Sequence, residues 1–166
     1  SGVMIVAKTE KVRKFLKKQF EEREIKKVYR AIVYGKMKDD NGMIDKPIGR
    51  SGSDFRAKMT GSSARGEMRP ATTFYKVLER FPDYTYLELR PKTGRTHQIR
   101  VHLKSIGRPI VCDEIYAKSN TCPVFFGRLG LHAFSIEFQM PNEEVKRFES
   151  PIAKELEGGL DKLRTL

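Results

Sequence analysis

The sequence has no tryptophan, only two cysteines and only three histidines among its 166 residues. Cys112 and Cys122 lie ten positions apart and form no CxxC motif, so their spacing indicates neither a zinc ribbon nor a disulfide framework. Two buried or unused thiols in a reducing compartment are therefore the favoured interpretation.

Long apolar segments are also missing. No run approaches the roughly 20 residues that a helix needs to span a bilayer, and no secretory leader opens the chain, so a cytoplasmic protein is expected. The chain starts without methionine, and an apolar segment from Val3 to Ala7, predicted as a short strand, follows almost at once. This start indicates a fragment, with a cloning remnant at Ser1 and Gly2 as the alternative.

Acidic residues are scarce relative to basic ones. Lysine and arginine number 33 against 21 acids, a net charge of +12. Such an excess favours a polyanionic partner, above all nucleic acid, because each neutralised phosphate releases condensed counterions. The alternative is a basic surface that serves only solubility. With 39% hydrophobic residues, the chain is expected to form one globular domain over residues 1–166.

The first half of the chain predicts one helix, one strand and a long basic region. Thr9 can cap a helix with an apolar stripe; the stripe comprises Val12, Phe15, Leu16 and Phe20. The opposite face is cationic and either meets RNA or is simply solvated; it carries Lys11, Arg13, Lys14, Lys17 and Lys18. The segment KKVYRAIVYG alternates as a half-buried strand ending at Gly35.

From Lys36 to Pro70 the chain is rich in glycine, serine and arginine, so at most short strands around long loops are expected. Phe55 is placed to stack on a base. Several cations make this region a candidate phosphate-binding loop, with a mobile basic loop as the alternative; they are Arg50, Arg56, Lys58, Arg65 and Arg69.

The second half predicts a hairpin, a helix, a last strand and a C-terminal helix. ATTFYKVLERF and YTYLELRP form the hairpin. Thr96 is expected to cap a helix with an apolar stripe at Ile99, Leu103 and Ile106. LHAFSIEFQMP is the last strand, and SPIAKELEGGLDKL is a short capped helix. This order of elements favours an α+β fold with a largely antiparallel sheet.

Several chemistries fit the sequence poorly. His97 and His102 are five apart, on different helix faces, so the zinc-helix geometry is absent and no metal is expected. No nucleophile elbow or phosphate-binding glycine loop has the required context. What remains is a polar helix edge with His97, Arg100 and Lys104. Arg100 borders the core, where it serves either a carboxylate or phosphate ligand or an ion pair with an acid of the chain.

Four segments, in unbroken order from Ser1 to about Pro151, resemble the RluA-type pseudouridine synthase family. TGRTHQIRVHL, followed by GRPIVCDEIY, resembles the third signature, and KKVYRAIVYG resembles the second. RLGLHAFSIEFQMP resembles the closing strand. SGVMIVAK, with the helix after it, resembles the sequence that follows the first signature, HRLD, two variable residues and TSG. The resemblance implies the pseudouridine synthase-like α+β fold with its basic loops.

The resemblance implies isomerisation of a uridine in rRNA or tRNA to pseudouridine, without metal or organic cofactor. It matches Tyr29 to the tyrosine that stacks on the uracil and is a candidate for removing a proton, and Arg100 to the arginine that ion-pairs with the nucleophilic aspartate. The residues expected to bind RNA are Arg50, Arg56, Lys58, Arg65, Arg95 and His97. The protein is taken as a monomer by default.

The aspartate is the departure from the family pattern. If Ser1 and Gly2 match the end of TSG, the nucleophile stands four residues before Ser1, and the chain as given is expected to be inactive. Asp113, preceded by Cys112 where the family usually has glycine, is expected to be structural. Arg100 without its acid is expected to be less ordered or bound to an anion. The alternative function is a non-catalytic RNA-binding module derived from the same fold.

Overall fold

The structure is a computed structural model that describes residues 1–52, 58–60 and 64–166, with the backbone only at 59, 64 and 65. Its helices are α1 (Glu10–Glu22), α2 (Gln98–Ser105) and α3 (Lys154–Arg164). Its strands are β1 (Lys26–Tyr34), β2 (Asn41–Asp45), β3 (Ile48–Ser51), β4 (Lys58–Met59), β5 (Ala64–Arg69), β6 (Thr72–Arg80), β7 (Tyr84–Pro91), β8 (Leu131–Gln139) and β9 (Val145–Glu149).

Six strands form one sheet in the order β2-β6-β7-β1-β8-β9, and every neighbouring pair is antiparallel. The short strands β3, β4 and β5 form a second antiparallel sheet. The expectations of an α+β fold, of the β6–β7 hairpin and of short strands between residues 36 and 70 are confirmed. No described helix is long and apolar enough to cross a membrane.

Helices pack against both faces of the large sheet. On one face, α2 packs Ile99 and Leu103 against Ala31, Leu87 and Leu89. Burying an aliphatic side chain of this size contributes roughly 1.5–3 kcal/mol. On the other face, α3 packs its leucines onto a separate apolar cluster. Because alternate residues of β1 face opposite sides of the sheet, this strand serves both clusters.

Helix α1 begins as predicted, with the backbone N–H of Val12 donating to Thr9 Oγ1 at 3.3 Å. Of the predicted apolar stripe, Leu16 is buried, whereas Phe20 is 47% exposed. The buried residue of this turn is Gln19, whose amide donates to and accepts from the backbone of Gln139 at 3.0 and 2.9 Å. The helix therefore meets polar backbone, rather than apolar side chains, at this end.

Two predictions about extended segments were wrong. Residues 3–7 do not form a strand; Gly2 makes one isolated parallel bridge to Ala133, and Met4 is 82% exposed. Hydrophobicity alone suggested a buried strand there. The sheet edge β9 was not predicted, because it is exposed along its whole length and lacks the apolar alternation of a strand.

The prediction of two free thiols was also wrong. Cys112 and Cys122 form a disulfide, with their Cα atoms 4.6 Å apart. The loop between the two cysteines folds back so that Cys122 meets Cys112. This approach depends on the tertiary structure, which the spacing of the cysteines does not reveal. The bond closes a loop that contains Asp113 and Tyr116.

The two adjacent glycines of α3 offer a matched test of its packing. A Cβ on Gly159 would collide with the ring of Phe126, whereas a Cβ on Gly158 meets nothing within 4 Å. We expect Gly159→Ala to lower the free energy of unfolding by about 1–3 kcal/mol through overpacking. Gly158→Ala should raise it by about 0.5–1 kcal/mol, because alanine favours a helix. Urea denaturation of both variants measures the two free energies of unfolding. Equal effects of the two substitutions would contradict the close packing of Gly159 against Phe126.

Candidate active site

A cavity of about 390 Å³ opens on the α2 face of the large sheet. Its walls come from the C-terminal end of α1, strands β1 and β8, and the loop that leads into α2. Four predicted site residues line it together, namely Tyr29, Arg95, His97 and Arg100. Segments that lie far apart in the sequence therefore meet at one place.

The loop into α2 is held by the buried amide of Gln98. Its Nε2 donates to the Thr72 carbonyl and Thr73 Oγ1 at 2.9 and 3.0 Å, and its Oε1 accepts from Thr93 Oγ1 at 2.7 Å and from the Arg95 N–H at 3.0 Å. All four polar contacts of the amide are satisfied inside the protein. Gln98 thus ties the loop carrying Arg95 to the start of β6.

The first helical turn differs from the prediction. Thr96 is not the cap of α2; His97 occupies that position in the left-handed region, at φ 57°, without a side-chain capping bond. The hydrogen bonds of Gln98 hold the loop in place of a threonine cap. The expected apolar stripe is confirmed, with Ile99 and Leu103 buried and Ile106 packed against the core.

Arg100 is paired within the chain, which contradicts the expectation that it would lack a partner. Its Nε and Nη2 donate to the two carboxylate oxygens of Asp113, each at 2.7 Å. Asp113 also accepts the backbone N–H groups of Ile115 and Tyr116. The chain between α2 and this turn runs beside β1, through the Val33–Ile110 bridge, and so brings the carboxylate back to the helix. Asp113 is structural, as expected.

Tyr116 connects this ion pair to the basic region. Its hydroxyl lies 3.0 Å from His97 Nδ1 and accepts the Lys58 backbone N–H at 2.7 Å. The Arg100 guanidinium lies 5.0 Å from the centre of its ring. Burial first, and then the charge of Arg100, lower the pKa of His97. The imidazole is therefore neutral near pH 7.

Tyr29 lies on β1 between Leu89 of β7 and Ala133 of β8. Burial raises the pKa of its phenol, so the hydroxyl is protonated near neutral pH. No other described group hydrogen-bonds this hydroxyl. The side chain therefore presents an aromatic ring and one free donor to the cavity.

A second cleft, of about 460 Å³, adjoins the first at Gly94 and Arg95. It brings together three predicted RNA-binding residues, Arg50, Lys58 and Arg95, and is also lined by Arg69 of the candidate phosphate-binding loop. Phe55, Arg56 and the side chain of Arg65, which were also predicted here, lie outside the described residues. Glu67 also lines this cleft and pairs with Arg69 at 3.3 Å, so the net positive charge comes from Arg50, Lys58 and Arg95. This excess of positive charge suits the phosphates of an extended polyanion.

The other histidines have structural partners. His102 is fully buried between Thr73 Oγ1 and the Lys46 carbonyl, each 2.9 Å away. His132 lies between Ser1 Oγ and the Ser150 carbonyl, at 2.9 and 3.1 Å. Within residues 1–52, 58–60 and 64–166, no group of three or more metal-ligating side chains exists.

Comparisons with known proteins agree with this geometry. Residues 1–105 match the family model described as RNA pseudouridylate synthase. The chain belongs to this family. Ribosomal large subunit pseudouridine synthase D of Nitrosomonas europaea is 36% identical, over 100% of this chain and 49% of its own length. An uncharacterized RNA pseudouridine synthase of Bacillus subtilis is 38% identical, over 99% of this chain and 52% of its own length. The predicted resemblance to RluA-type pseudouridine synthases is confirmed.

The fold is shared with solved structures of the pseudouridylate synthase family. Human RNA Pseudouridylate Synthase Domain Containing 1 superposes with a TM-score of 0.78 at 26% identity, over 97% of this chain and 74% of that one. Human RNA Pseudouridylate Synthase Domain Containing 4 gives a TM-score of 0.76 at 25% identity, over 94% of this chain and 69% of that one. The chain spans about half the length of the curated relatives that it matches, 49% and 52% for the two described above.

Three residues around this cavity were not predicted from the sequence. Gln98 and Tyr116 organise the site, and Lys27 lines it. Lys27 precedes Tyr29 by two residues on β1, and strand periodicity indicates that both face the same side. The roles of Gln98 and Tyr116 depend on contacts 25 and 19 residues away, which no local pattern encodes.

Removing the Gln98 amide should loosen the loop that carries Arg95. Gln98→Ala leaves several buried polar groups unpaired, so we expect the free energy of unfolding to fall by about 2–4 kcal/mol. Hydrogen exchange of the Arg95 amide should accelerate in the folded state. Gln19→Ala is the matched control, because it removes a buried amide from α1. It should lower stability without affecting Arg95, and an unchanged Arg95 amide in Gln98→Ala would contradict the role.

His102 predicts how stability depends on pH. Burial lowers the pKa of His102, whereas the unfolded chain protonates it near its ordinary value of about 6.5. Below that value the unfolded state binds more protons, so stability should be full above pH 6.5 and should decrease on acidification towards pH 5. His102→Gln preserves a donor and an acceptor and should give a shallower decrease. Urea midpoints from pH 5 to 8 measure the stability of both proteins. If stability decreases with the same slope against pH in the variant, His102 is not a source of the pH dependence.

Proposed function

We propose that the chain is the C-terminal and larger part of the catalytic domain of an RNA pseudouridine synthase that isomerises uridine in ribosomal RNA. The observation that carries the proposal is the single cavity uniting Tyr29 and Arg100, the two residues matched to catalytic positions of the family. The proposed ribosomal substrate is supported by the names of relatives such as ribosomal large subunit pseudouridine synthases D and C. Transfer RNA is the competing substrate in the test below.

Each residue of the cavity has a chemical task in this proposal. The Tyr29 ring stacks on the uracil. Because the Tyr29 hydroxyl is protonated, it removes a proton from the base late in the reaction only if its own proton passes at the same time to solvent water in the open cavity. Arg100 keeps Nη1 free of hydrogen bonds to other described residues, since Nε and Nη2 bind Asp113. That nitrogen is available to bind and orient a second carboxylate.

The nucleophile of the proposal is the aspartate that the family resemblance assigns to the fourth position before Ser1. It attacks covalently either at the sugar, where the bond to the uracil breaks as the aspartyl ester forms, or at the base, where a ring double bond opens as the aspartate adds. In both routes the aspartate is released again, so the isomerisation is divided into two easier steps. The path of the first residues supports this assignment. Ala133, the neighbour of Tyr29 in the sheet, accepts from the Val3 N–H at 2.9 Å and donates to the Ser1 carbonyl at 3.0 Å. The Gly2–Ala133 bridge is parallel, so residues directly before Ser1 would run alongside the residues directly before Ala133. Leu131 is one of these residues, and it lines the cavity.

The adjoining basic cleft is the proposed track for the RNA backbone. A uridine can enter the cavity only after it leaves its stack, and the flanking phosphates must be held while it does so. Arg50, Lys58, Arg69 and Arg95 line the cleft, which shares Arg95 with the cavity. A continuous cationic surface therefore runs from the cleft to the point where the base would be bound.

Activity should depend on the missing acid. We expect residues 1–166 to release no tritium from rRNA labelled with [5-³H]uridine, whereas the same chain extended upstream through the HRLD segment should release it. Tritium leaves because the new glycosidic bond forms at the carbon that carried it. An extended chain with Asn at the nucleophile position is the control, and labelled tRNA tests the competing substrate. Tritium release by residues 1–166 alone would contradict the assignment of the nucleophile.

Salt dependence tests the RNA track. For residues 1–166 binding rRNA fragments, each lost phosphate contact should reduce the slope of log K against log[salt] by about 0.7–0.9. We expect Lys58→Gln and Arg50→Gln each to reduce the slope, and the double variant to reduce it by about twice as much. Arg69 is left unchanged because it already pairs with Glu67. Lys154→Gln and Lys162→Gln, on exposed positions of α3, should leave it unchanged. Equal effects at the two surfaces would indicate only a general contribution of net charge.

A further inference from the structure

Lys27 lies inside the candidate active site, and no acid among the described residues pairs with it. It precedes Tyr29 by two residues on β1, and both side chains line the same cavity. Its Nζ lies 5.9 Å from the centre of the Phe20 ring and 3.7 Å from the point that a Cβ on Gly94 would occupy. The absence of a side chain at Gly94 therefore leaves space beside this ammonium group.

The preceding lysine is different. Lys26 faces the other side of the strand, is exposed, and its Nζ lies 2.7 Å from Glu137 Oε1. Among the residues that the structure describes, no carboxylate pairs with Lys27, and the described lining of the cavity contains neither aspartate nor glutamate. Two adjacent lysines thus have opposite surroundings, one neutralised at the surface and one unpaired in the cavity.

A partly buried, unpaired ammonium group favours an anionic ligand. Burial lowers the pKa of Lys27, because desolvation disfavours its charged form and an opposite charge would restore it. The nearby charge of Arg100 is already neutralised by Asp113. The unpaired positive charge beside the Tyr29 ring therefore comes from Lys27, together with Arg95 at the mouth shared with the basic cleft.

We propose that Lys27 binds the phosphate of the nucleotide whose base stacks on Tyr29. Residues two apart on one strand face are separated by about 6.6 Å, a spacing that suits a base on one side chain and its own phosphate on the other. This inference rests on the proposed function, since it presumes that uridine occupies the cavity. The ligand group is the phosphate on either the 5′ or the 3′ side of the nucleoside, which is a diester in RNA and a monoester in the probes below.

Nucleotide binding to residues 1–166 tests this inference. The probes are uridine, uridine 5′-monophosphate and uridine 3′-monophosphate, and the readout is the NMR shift of the Tyr29 and His97 amides during titration. One monophosphate should bind about tenfold more tightly than uridine, the order expected for a charge-assisted hydrogen bond, and its identity shows which phosphate Lys27 holds. Lys27→Met, which keeps the apolar stem, should remove most of that difference and leave the affinity for uridine unchanged.

Lys26→Met is the matched control and should retain the tenfold preference, while thermal melts verify that both variants fold. If Lys27→Met also retains the preference, or if the wild-type chain shows none, the phosphate is not held by Lys27 and the inference is wrong, although uridine binding still supports the proposed function. If neither uridine nor its monophosphates shift Tyr29 or His97, the cavity is not a nucleotide site. That result would overturn this inference and remove the main support for the proposed function.

Discussion

The ion pair between Arg100 and Asp113 is the interaction on which the arrangement of the site depends. Burial alone would raise the pKa of Asp113, but hydrogen bonds from Arg100 and two backbone amides outweigh it, and the pKa is lowered. An aspartate only 2% exposed is stable as an anion because these donors replace water. The pair holds the turn after residue 112 against α2, and through Tyr116 it positions His97 and the Lys58 backbone.

The turn that holds Asp113 begins with a residue in an unusual backbone conformation. Cys112 adopts the left-handed conformation, φ 56°, directly before Asp113. Glycine enters this conformation without the steric cost of a Cβ, about 1–2 kcal/mol for other residues. In this chain the disulfide to Cys122 ties the residue down from the other end of the loop. The backbone geometry that Asp113 requires is therefore kept by a covalent bond rather than by conformational freedom.

Local patterns predicted the features that local physics determines. Period-two alternation identified β1 and the β6–β7 hairpin, and helical spacing identified the buried face of α2, because each element must bury one side. Motif resemblance assigned Tyr29 and Arg100, which the fold brings to one cavity. The partner of Arg100 was not predicted, because thirteen residues separate it from Asp113 and a single sequence does not show that the chain returns beside β1. The disulfide and the buried Gln19 escaped prediction for the same reason, since both depend on tertiary contacts.

Some cations of the cavity are paired with an acid and others are not, and this difference sets the net charge of the cavity. Arg100 is compensated within the chain, and His97 is neutral because burial and Arg100 lower its pKa. The positive charges that remain on the described lining belong to Lys27 and Arg95. A nucleotide phosphate and a catalytic carboxylate would together bring two negative charges, so the loaded site would be close to electroneutral. A cavity that also left Arg100 unpaired would hold excess positive charge when loaded and would be less stable when empty. Under the proposed function, Asp113 would therefore stabilise the empty site and set its charge for one nucleotide and one acid.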